Sequence, residues 1–347
     1  MIPGPLAASG RRGLKRRQFG RRAALAALTG AAACAGRPGL LAYPVPLPPG
    51  RPDSGHPDRP LRPLGVLRVE TGQLGADGLS GLHIGPDLTL TTISDRGRWA
   101  QARLVLAADG TPLALEAPRS GPLRDTAGRA LPRDIAGDAE SLARLPDGSW
   151  LVGYEREHRI WRYRDLDSAA VPVANPPGIE MSAANGSLEA MGVLTDGRWL
   201  VIAETLSPPE DPAARLAWIG GPGRWHRFIY RPRAWHSPSD LCPLPDGGAL
   251  VLERHFNWSE GFSAGIARLP PPPAAPAVLE GVEVARLEPP LPSDNWEGIA
   301  AFRHNGRDLV AAISDDNQMV PLQRTLLMVL GWADEGRPPQ DLPRPEA

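Results

Sequence analysis

The chain has 347 residues, with 38 Lys and Arg against 39 Asp and Glu, a formal net charge of −1. Residues 1–37 hold eight basic side chains and no acidic one, which leaves 30 basic against 39 acidic side chains in the rest. This excess of acidic side chains excludes a general nucleic-acid-binding protein, which needs a basic surface. With only two cysteines, the chain can form neither a disulfide framework nor a cysteine-rich zinc site.

The first 35 residues are predicted to be a twin-arginine signal peptide. Lys15-Arg16-Arg17-Gln18-Phe19 has the form of a twin-arginine core, and the apolar run 23–35 is about half as long as a bilayer span. We therefore expect passage through the twin-arginine export machinery, cleavage after Ala35, a periplasmic or secreted mature protein and no transmembrane anchor. Alternatively, the stretch 31–34 is a poor lipoprotein box, and Cys34 carries a lipid anchor.

Residues 36–63 hold nine prolines and are predicted to form an extended linker. The folded domain is expected to span residues 64–333, and residues 334–347 to form a tail. Within the domain, a hairpin pattern of two short apolar segments around a turn recurs five times, at intervals of 49 to 60 residues. Asp-Gly and Asn-Gly turns favour hairpins because both residues tolerate positive φ. The turns are Gly85-Pro86-Asp87, Pro146-Asp147-Gly148, Thr195-Asp196-Gly197, Pro245-Asp246-Gly247 and Asn305-Gly306.

The strands around these hairpins predict an all-β fold that closes on itself. A third strand is predicted after every hairpin, and a fourth after all but the last. The segment 64–69 is a strand with no hairpin before it, so it can supply the missing strand. This arrangement is a β-propeller of five four-stranded blades, closed by an N-terminal strand. A sixth, degenerate blade and a large β-sandwich are the alternatives, and the sandwich requires no fixed interval between hairpins.

Acidic residues mark the two ends of each hairpin on one side. Because the two strands run in opposite directions, the residue that opens the first strand lies level with the residue that ends the second. In a propeller the first strand of each blade lines the central channel, so these side chains are expected at one mouth of that channel. Nine of the ten are acidic, and the pairs are Ser80/Asp95, Glu140/Glu155, Glu189/Glu204, Asp240/Glu253 and Glu297/Asp315.

Charge repulsion destabilises such a ring of ionised carboxylates unless other groups offset it. Two carboxylates about 5 Å apart repel by ~3 kcal/mol at an effective dielectric of ~20. Raised pKa values, arginine partners or a bound cation would relieve this repulsion, and Arg96, Arg156 and Arg254 each follow one of the acids directly. Oxygen ligands favour Ca²⁺ or Mg²⁺ over a transition metal. The simpler interpretation is that the acids cap turns or pair with arginines.

The same segments carry a family resemblance. The chain resembles the phytase-like family described as having esterase-like activity, over about residues 64 to 333. The resemblance implies a secreted propeller hydrolase, with phosphate esters as candidate substrates. The matching segments are Gly78-Leu79-Ser80-Gly81-Leu82, Ser94-Asp95-Arg96-Gly97, Glu140-Ser141-Leu142, Tyr154-Glu155, Glu189-Ala190-Met191, Leu252-Glu253-Arg254, Asn295-Trp296-Glu297-Gly298-Ile299 and Ser314-Asp315-Asp316-Asn317.

The hypothesis of metal-assisted hydrolysis of a small anionic ester gives each candidate residue a role. Arg96 and Arg254 are predicted to bind the phosphate or carboxylate of the substrate, a task suited to the planar guanidinium. Glu155 or Glu253 is the candidate general base, and His83 and His255 are the histidines expected closest to the mouth. The predicted ligands of the divalent cation, taken to be Ca²⁺, are Glu140, Glu189, Asp240, Glu297 and Asp315.

Two other functions fit the same pattern. One is a non-catalytic propeller whose acidic mouth binds calcium and a ligand. The other is a sugar-lactone hydrolase of the gluconolactonase type, which also uses an acidic, metal-bearing channel. Turnover of esters, of lactones or of neither distinguishes the three.

Overall fold

Short antiparallel strands joined by tight turns make up almost the whole of the described chain. The computed structural model describes residues 40–48, 59–234, 236–259, 261–317, 319 and 323–333. The predicted signal peptide, Cys34 included, and the predicted tail lie outside these residues. One short helix, α1 (Thr71–Leu74), and the 3₁₀ turns Ile135–Gly137 and Ile179–Met181 interrupt the strands. No helix among the described residues has the length and apolar character of a membrane span.

The strands form five small sheets, the blades, which follow one another along the chain. Blade 1 contains β3 (Leu79–Ile84), β4 (Thr89–Ser94), β5 (Arg98–Leu106) and β6 (Pro112–Pro122). Blade 2 contains β7 (Ala139–Arg144), β8 (Trp150–Tyr154), β9 (Arg159–Tyr163) and β10 (Val171–Val173). Blade 3 contains β11 (Ala190–Val193), β12 (Trp199–Ile202), β13 (Arg215–Gly220), β14 (His226–Arg231) and β18 (Val278–Glu280). Blade 4 contains β15 (Ser237–Pro243), β16 (Ala249–Asn257), β17 (Gly261–Leu269) and β19 (Val282–Leu287). Blade 5 contains β20 (Asn295–His304), β21 (Arg307–Asp315), β22 (Leu326–Trp332), β2 (Leu61–Val69) and β1 (Ala42–Val45).

The ring closes through blade 5, where chain-terminal segments pair with each other. Strand β2 lies beside β22, with Arg68 opposite Leu326 and Leu61 opposite Trp332. The predicted five-bladed propeller with an N-terminal closing strand is thus confirmed, and the described residues form no sixth sheet.

Two blades carry a fifth strand that the sequence pattern did not predict. Strand β1 and the first residues of β2 fall within 36–63, so the prediction of an extended linker is wrong for these residues. Burial of Ala42 and Leu61 explains why they are ordered, and β1 is an edge strand, where Pro44 is tolerated because no further strand needs its missing N–H. The other addition, β18, pairs in parallel with β14.

Apolar side chains fill the five interfaces between neighbouring blades. Each interface has its own buried cluster, and the inner strand of each blade contributes one equivalent residue to a different cluster. Fully burying such a side chain stabilises the fold by about 1.5–3 kcal/mol, so the interfaces hold the inner strands firmly around the channel. These five residues, the apolar ring, are Leu82, Leu142, Met191, Leu241 and Ile299.

The inner strands β3, β7, β11, β15 and β20 contact one another around the axis. All five begin at the same face of the propeller. Near that face the pairing shifts register in four hairpins, which marks a β-bulge in each. A bulge turns the extra residue out of the ladder and is common next to functional sites. Two of these bulges carry Glu140 and Glu297.

Candidate functional site

Eight carboxylates from four blades gather where the inner strands begin. We call this group the acidic mouth. Two come from blade 5 and one from blade 1, and blades 2 and 3 provide the rest. The members of the acidic mouth are Asp95, Asp138, Glu140, Glu155, Glu189, Glu204, Glu297 and Asp315.

Two overlapping groups of three acids form the centre of the acidic mouth. The first is Asp138, Glu140 and Glu155, and the second is Glu155, Glu189 and Glu204. Within each group, one carboxylate oxygen per residue lies within 4.8 Å of the others. Glu155 belongs to both groups, so it joins blade 2 to blade 3. Carboxylates this close, with no His or Cys among them, are compatible with a divalent cation that prefers oxygen ligands.

Local structure explains how these side chains reach the axis. Glu140 occupies the bulge between Ala139 and Ser141, and the hydroxyl of Ser80 donates a hydrogen bond to its Oε2 at 2.7 Å. Glu155 follows the last residue of β8 and accepts a hydrogen bond from the backbone N–H of Gly186. These contacts cross from one blade to the next, so the orientation of each acid depends on the closed ring.

Burial and mutual repulsion oppose the ionisation of the central glutamates. Burial, followed by the charge of Asp138, raises the pKa of Glu155 to about 7 and the pKa of Glu140 well above its usual value. Burial and Glu204 raise the pKa of Glu189 well above its usual value. Burial, opposed by a neighbouring arginine, brings the pKa of Glu297 to about 8. Burial therefore favours the protonated form of these carboxyls, and a bound cation would favour the ionised form.

Asp95 and Asp315, on the blade 1 side of the acidic mouth, also have raised pKa values. Burial, followed by the charge of Asp315, raises the pKa of Asp95 to about 7. Burial also raises the pKa of Asp315 to about 6, although the backbone N–H groups of Asn317 and Leu79 donate hydrogen bonds to it at 2.9 and 3.2 Å. The Oδ1 atom of Asp95 is buried and has no hydrogen-bond partner among the described residues. A buried carboxylate oxygen without a partner is rare in folded proteins, which marks Asp95 as a functional candidate.

Arg254 is the counter-ion of the acidic mouth. Its Nη2 lies 3.2 Å from Oε1 of Glu204 and its Nε lies 3.2 Å from Oε2 of Glu297. Its Nη1 donates a hydrogen bond to Asn295 Oδ1 at 3.1 Å. Burial opposes the charge of Arg254, but Glu297 and the other glutamates raise its pKa above the usual value. The guanidinium predicted to bind substrate is thus engaged by the protein's own carboxylates.

Two other arginines lie at the rim and face solvent. The Nε of Arg156 donates to Oδ2 of Asp138, and its side chain is 42% exposed. Arg96 lies 3.6 Å from Asp77 and 3.8 Å from Asp95, and its side chain is 29% exposed. Arg156 is thus paired with Asp138 while its side chain stays partly exposed, and Arg96 makes only long contacts with its neighbouring acids.

Two predicted catalytic residues lie outside the acidic mouth. Glu253 accepts a hydrogen bond from the Tyr230 hydroxyl at 2.5 Å and one from the backbone N–H of Arg233 at 3.2 Å, so it points away from the channel centre. His83 lies three residues beyond Ser80 along β3, deeper in the channel, with its ring 5.2 Å from the Trp150 ring. The expectation that His83 lies at the mouth is therefore wrong.

Asp240 is fully buried and bridges three inner strands. Its carboxylate accepts hydrogen bonds from the backbone N–H of Leu241 and of Ile299, each at 2.8 Å, and another from Leu82. This carboxylate is therefore occupied by backbone donors from blades 4, 5 and 1.

Three members of the central groups were not among the predicted cation ligands: Asp138, Glu204 and Glu155, the last of which was predicted as a candidate general base. Asp138 lies two residues before Glu140, a spacing that places both side chains on one face of an extended segment. Glu204 follows β12 and lies beside the start of the inner strand of the same hairpin, where its backbone N–H donates a hydrogen bond to the carbonyl of Ser187 at 3.3 Å. Both signals were present in the sequence.

Comparison with known proteins gives a family match and distant structural similarities. A family model described as "Phytase-like: Esterase-like activity of phytase" matches residues 75–318. A solved structure named as a gluconolactonase is 13% identical, with a TM-score of 0.44, over 83% of this chain and 99% of that one. Regucalcin, a calcium-binding protein from Agrobacterium tumefaciens, is 12% identical, with a TM-score of 0.43, over 76% and 92%. No curated protein matches the chain. The family match alone bears on what the protein is.

Proposed function

The chain belongs to the phytase-like family, described by its esterase-like activity, and from this premise we propose that it hydrolyses phosphate or carboxylate esters. We propose that the reaction takes place at the acidic mouth with the help of a divalent cation, Ca²⁺. The substrate class is a small anionic ester.

The observation that supports this proposal is the pair of carboxylate groups that share Glu155. Ca²⁺ binds six to eight oxygen atoms at about 2.3–2.6 Å, often from Asp and Glu side chains. The donor set fits this requirement, because five side chains of the two groups offer only carboxylate oxygens. The raised pKa of Glu155 and of Glu297 agrees with a site whose negative charge is neutralised by a ligand.

A bound divalent cation would supply Lewis-acid polarisation of the ester at the mouth. The two central groups, with Glu155 between them, would hold it. Glu297 belongs to neither central group, so it would lie beside the cation and pair with Arg254, 3.2 Å away, rather than coordinate directly.

The rim arginines are suited to hold the anionic part of the substrate. Arg156 and Arg96 are partly exposed and lie beside the acidic mouth, whereas Arg254 is engaged with Glu204 and Glu297. A planar guanidinium can donate two parallel hydrogen bonds to a phosphate or carboxylate. Arg156 and Arg96 would therefore orient the ester with its reacting bond over the central carboxylates.

Asp95 is the carboxylate best placed to accept a proton from the attacking water. It lies outside both central groups, and its nearest cationic atom is Arg96 Nε at 3.8 Å. Its Oδ1 has no hydrogen-bond partner among the described residues. The earlier candidates are less suitable, because Glu155 is shared by both central groups and Glu253 is bonded to Tyr230.

The test combines metal analysis with activity. The purified mature protein is assayed on phosphate esters, carboxylate esters and lactones before chelation, after chelation, and after addition of Ca²⁺ or Mg²⁺. We expect bound metal, ester turnover that chelation abolishes, and recovery with Ca²⁺. Ester turnover without metal and without sensitivity to chelation would refute the mechanism. Cation binding without turnover would favour a binding protein, and turnover of lactones alone would favour a lactonase.

We also propose that the twin-arginine machinery exports the protein, with Arg16 and Arg17 as its recognition signal. The support is the sequence of residues 1–35 alone. Replacing both arginines by lysine in a reporter fusion should retain the protein in the cytoplasm, whereas Cys34→Ala should alter only a lipid-anchored form. Export that is unchanged by the double replacement would contradict this assignment.

A further inference from the structure

A second polar site lies in the channel beyond the acidic mouth. A cavity of about 110 Å³ is lined by the later residues of all five inner strands, 82–83, 142–144, 191–193, 241–243 and 300–301. Its lining contains no Asp or Glu among the described residues. The Asp240 bridge lies one residue before the cavity segment of β15, between the cavity and the acidic mouth.

Arg144 is a cation without a carboxylate partner at this end of the channel. Its guanidinium lies over the Trp150 ring, 4.1 Å from the ring centroid, where the aromatic face holds it in place. It makes no hydrogen bond and no ion pair within 4 Å with any described residue. Asp147 and Asp165, the carboxylates that act on its charge, are each paired with another arginine.

His83 shares the same tryptophan and also lacks a hydrogen-bond partner among the described residues. Its ring meets the Trp150 ring edge to face, 5.2 Å apart and at 86°. Burial, followed by the charge of Arg144, lowers the pKa of His83 to about 4. The imidazole is therefore neutral near pH 7 and has one N–H to donate.

We infer that this cavity binds a small oxyanion, a short carboxylate or phosphate, through the Arg144 guanidinium and the His83 N–H. A water molecule occupies about 30 Å³ of liquid, so a cavity of about 110 Å³ has room for a small anion. This site is independent of the proposed hydrolysis, since the Asp240 bridge separates the two.

Calorimetric titration of the metal-free protein with acetate and with inorganic phosphate tests this inference. The parent should bind at least one of them. Arg144→Gln should weaken that binding by about tenfold or more, because charge-assisted hydrogen bonds are lost. The matched control Arg164→Gln removes an exposed arginine paired with Asp165 and should bind like the parent. Equal binding by the parent and Arg144→Gln, or no binding by the parent, would overturn the inference.

A crystal soaked in selenate gives the location independently. We expect an anomalous peak between Arg144 and His83, and its loss in Arg144→Gln. A peak only at the rim arginines, or none in the cavity, would contradict the site. The Arg144→Gln variant should keep the calcium binding and ester turnover of the parent, so failure of either proposal can be recognised without the other.

Discussion

Arg254 Nε lies 3.2 Å from Oε2 of Glu297, and this ion pair joins blade 4 to blade 5 within the acidic mouth. The same guanidinium reaches Glu204 of blade 3, also at 3.2 Å. One buried cation therefore connects three blades and offsets part of the repulsion among the carboxylates. A divalent cation bound at the acidic mouth would offset more of the same repulsion.

Removal of this arginine should make stability depend on calcium. Arg254→Met is expected to lower the free energy of unfolding of the metal-free protein by about 2–3 kcal/mol, because a mostly buried ion pair loses one partner. Saturating Ca²⁺ should recover much of the loss by neutralising Glu204 and Glu297. Thermal and urea unfolding with and without chelator measure both effects.

The matched control for Arg254→Met is Arg103→Gln, which removes an exposed pair with Glu116 and should change stability by less than about 0.5 kcal/mol. If Arg254→Met loses the same free energy of unfolding in chelator and in Ca²⁺, then Ca²⁺ does not neutralise the carboxylates that Arg254 neutralises.

The raised pKa values predict an unusual dependence of stability on pH. The pKa is about 7 for Asp95 and Glu155, about 8 for Glu297 and about 6 for Asp315, each above the value in the unfolded chain. Between about pH 4 and these values the folded protein holds protons that the unfolded chain has released. The metal-free protein should therefore lose stability as pH rises from about 5 to about 8.

Calcium affinity should rise over the same pH window, because the ligands must lose their protons to bind. Urea unfolding of the chelated protein and calcium titration at several pH values check the two trends. Stability of the metal-free protein that increases steadily from pH 5 to pH 8 would be inconsistent with the acidic mouth.

Glu155 should matter more for calcium than any neighbouring acid, since both central groups contain it. Glu155→Gln is expected to weaken calcium binding by at least about tenfold, measured by calorimetry. Glu253→Gln is the informative comparison, because Glu253 lies outside the central groups and accepts hydrogen bonds from Tyr230 and from the backbone N–H of Arg233. That variant should bind calcium like the parent while losing about 1–2 kcal/mol of stability. The reverse pattern would place the site on blade 4.

Asp240 should behave as a structural bridge. Asp240→Ala leaves the N–H groups of Ile299 and Leu82 without an acceptor, which should cost about 2 kcal/mol or more of unfolding free energy. Asp240→Asn keeps a carbonyl acceptor and should lose less. Calcium affinity of Asp240→Asn should stay near that of the parent, and a large drop would restore Asp240 as a cation ligand.

The propeller could be predicted because a local sequence pattern, the hairpin with its tight turn, recurs once in each blade. Each Asp-Gly or Asn-Gly turn fixes one hairpin, and the missing outer strand of the last blade identifies β2 as the closing strand. Strand β1 could not be predicted, because its proline-rich sequence is typical of a linker and only the edge of β2 gives it a partner.

The positions of single side chains were harder to predict than the ring. Adjacent strand residues point to opposite faces, so Glu253 and Arg254 cannot both face the mouth, and only the structure shows which one does. A strand rises about 3.3 Å per residue, which places His83 roughly 10 Å below Ser80 along β3. In blade 4 the bulge falls at Ser239, so Asp240 lies one residue after the bulge, whereas Glu140 and Glu297 occupy the bulges of their own blades.

The most direct test of the central claim is a crystal structure of the protein with Ca²⁺, with the ion located by its anomalous scattering. The account predicts a peak within about 2.6 Å of oxygens of Glu155 and of at least two other members of the two central groups. It also predicts that this peak is absent from Glu155→Gln. A peak at another surface, or central carboxylates that bind no ion at saturating Ca²⁺, would contradict it.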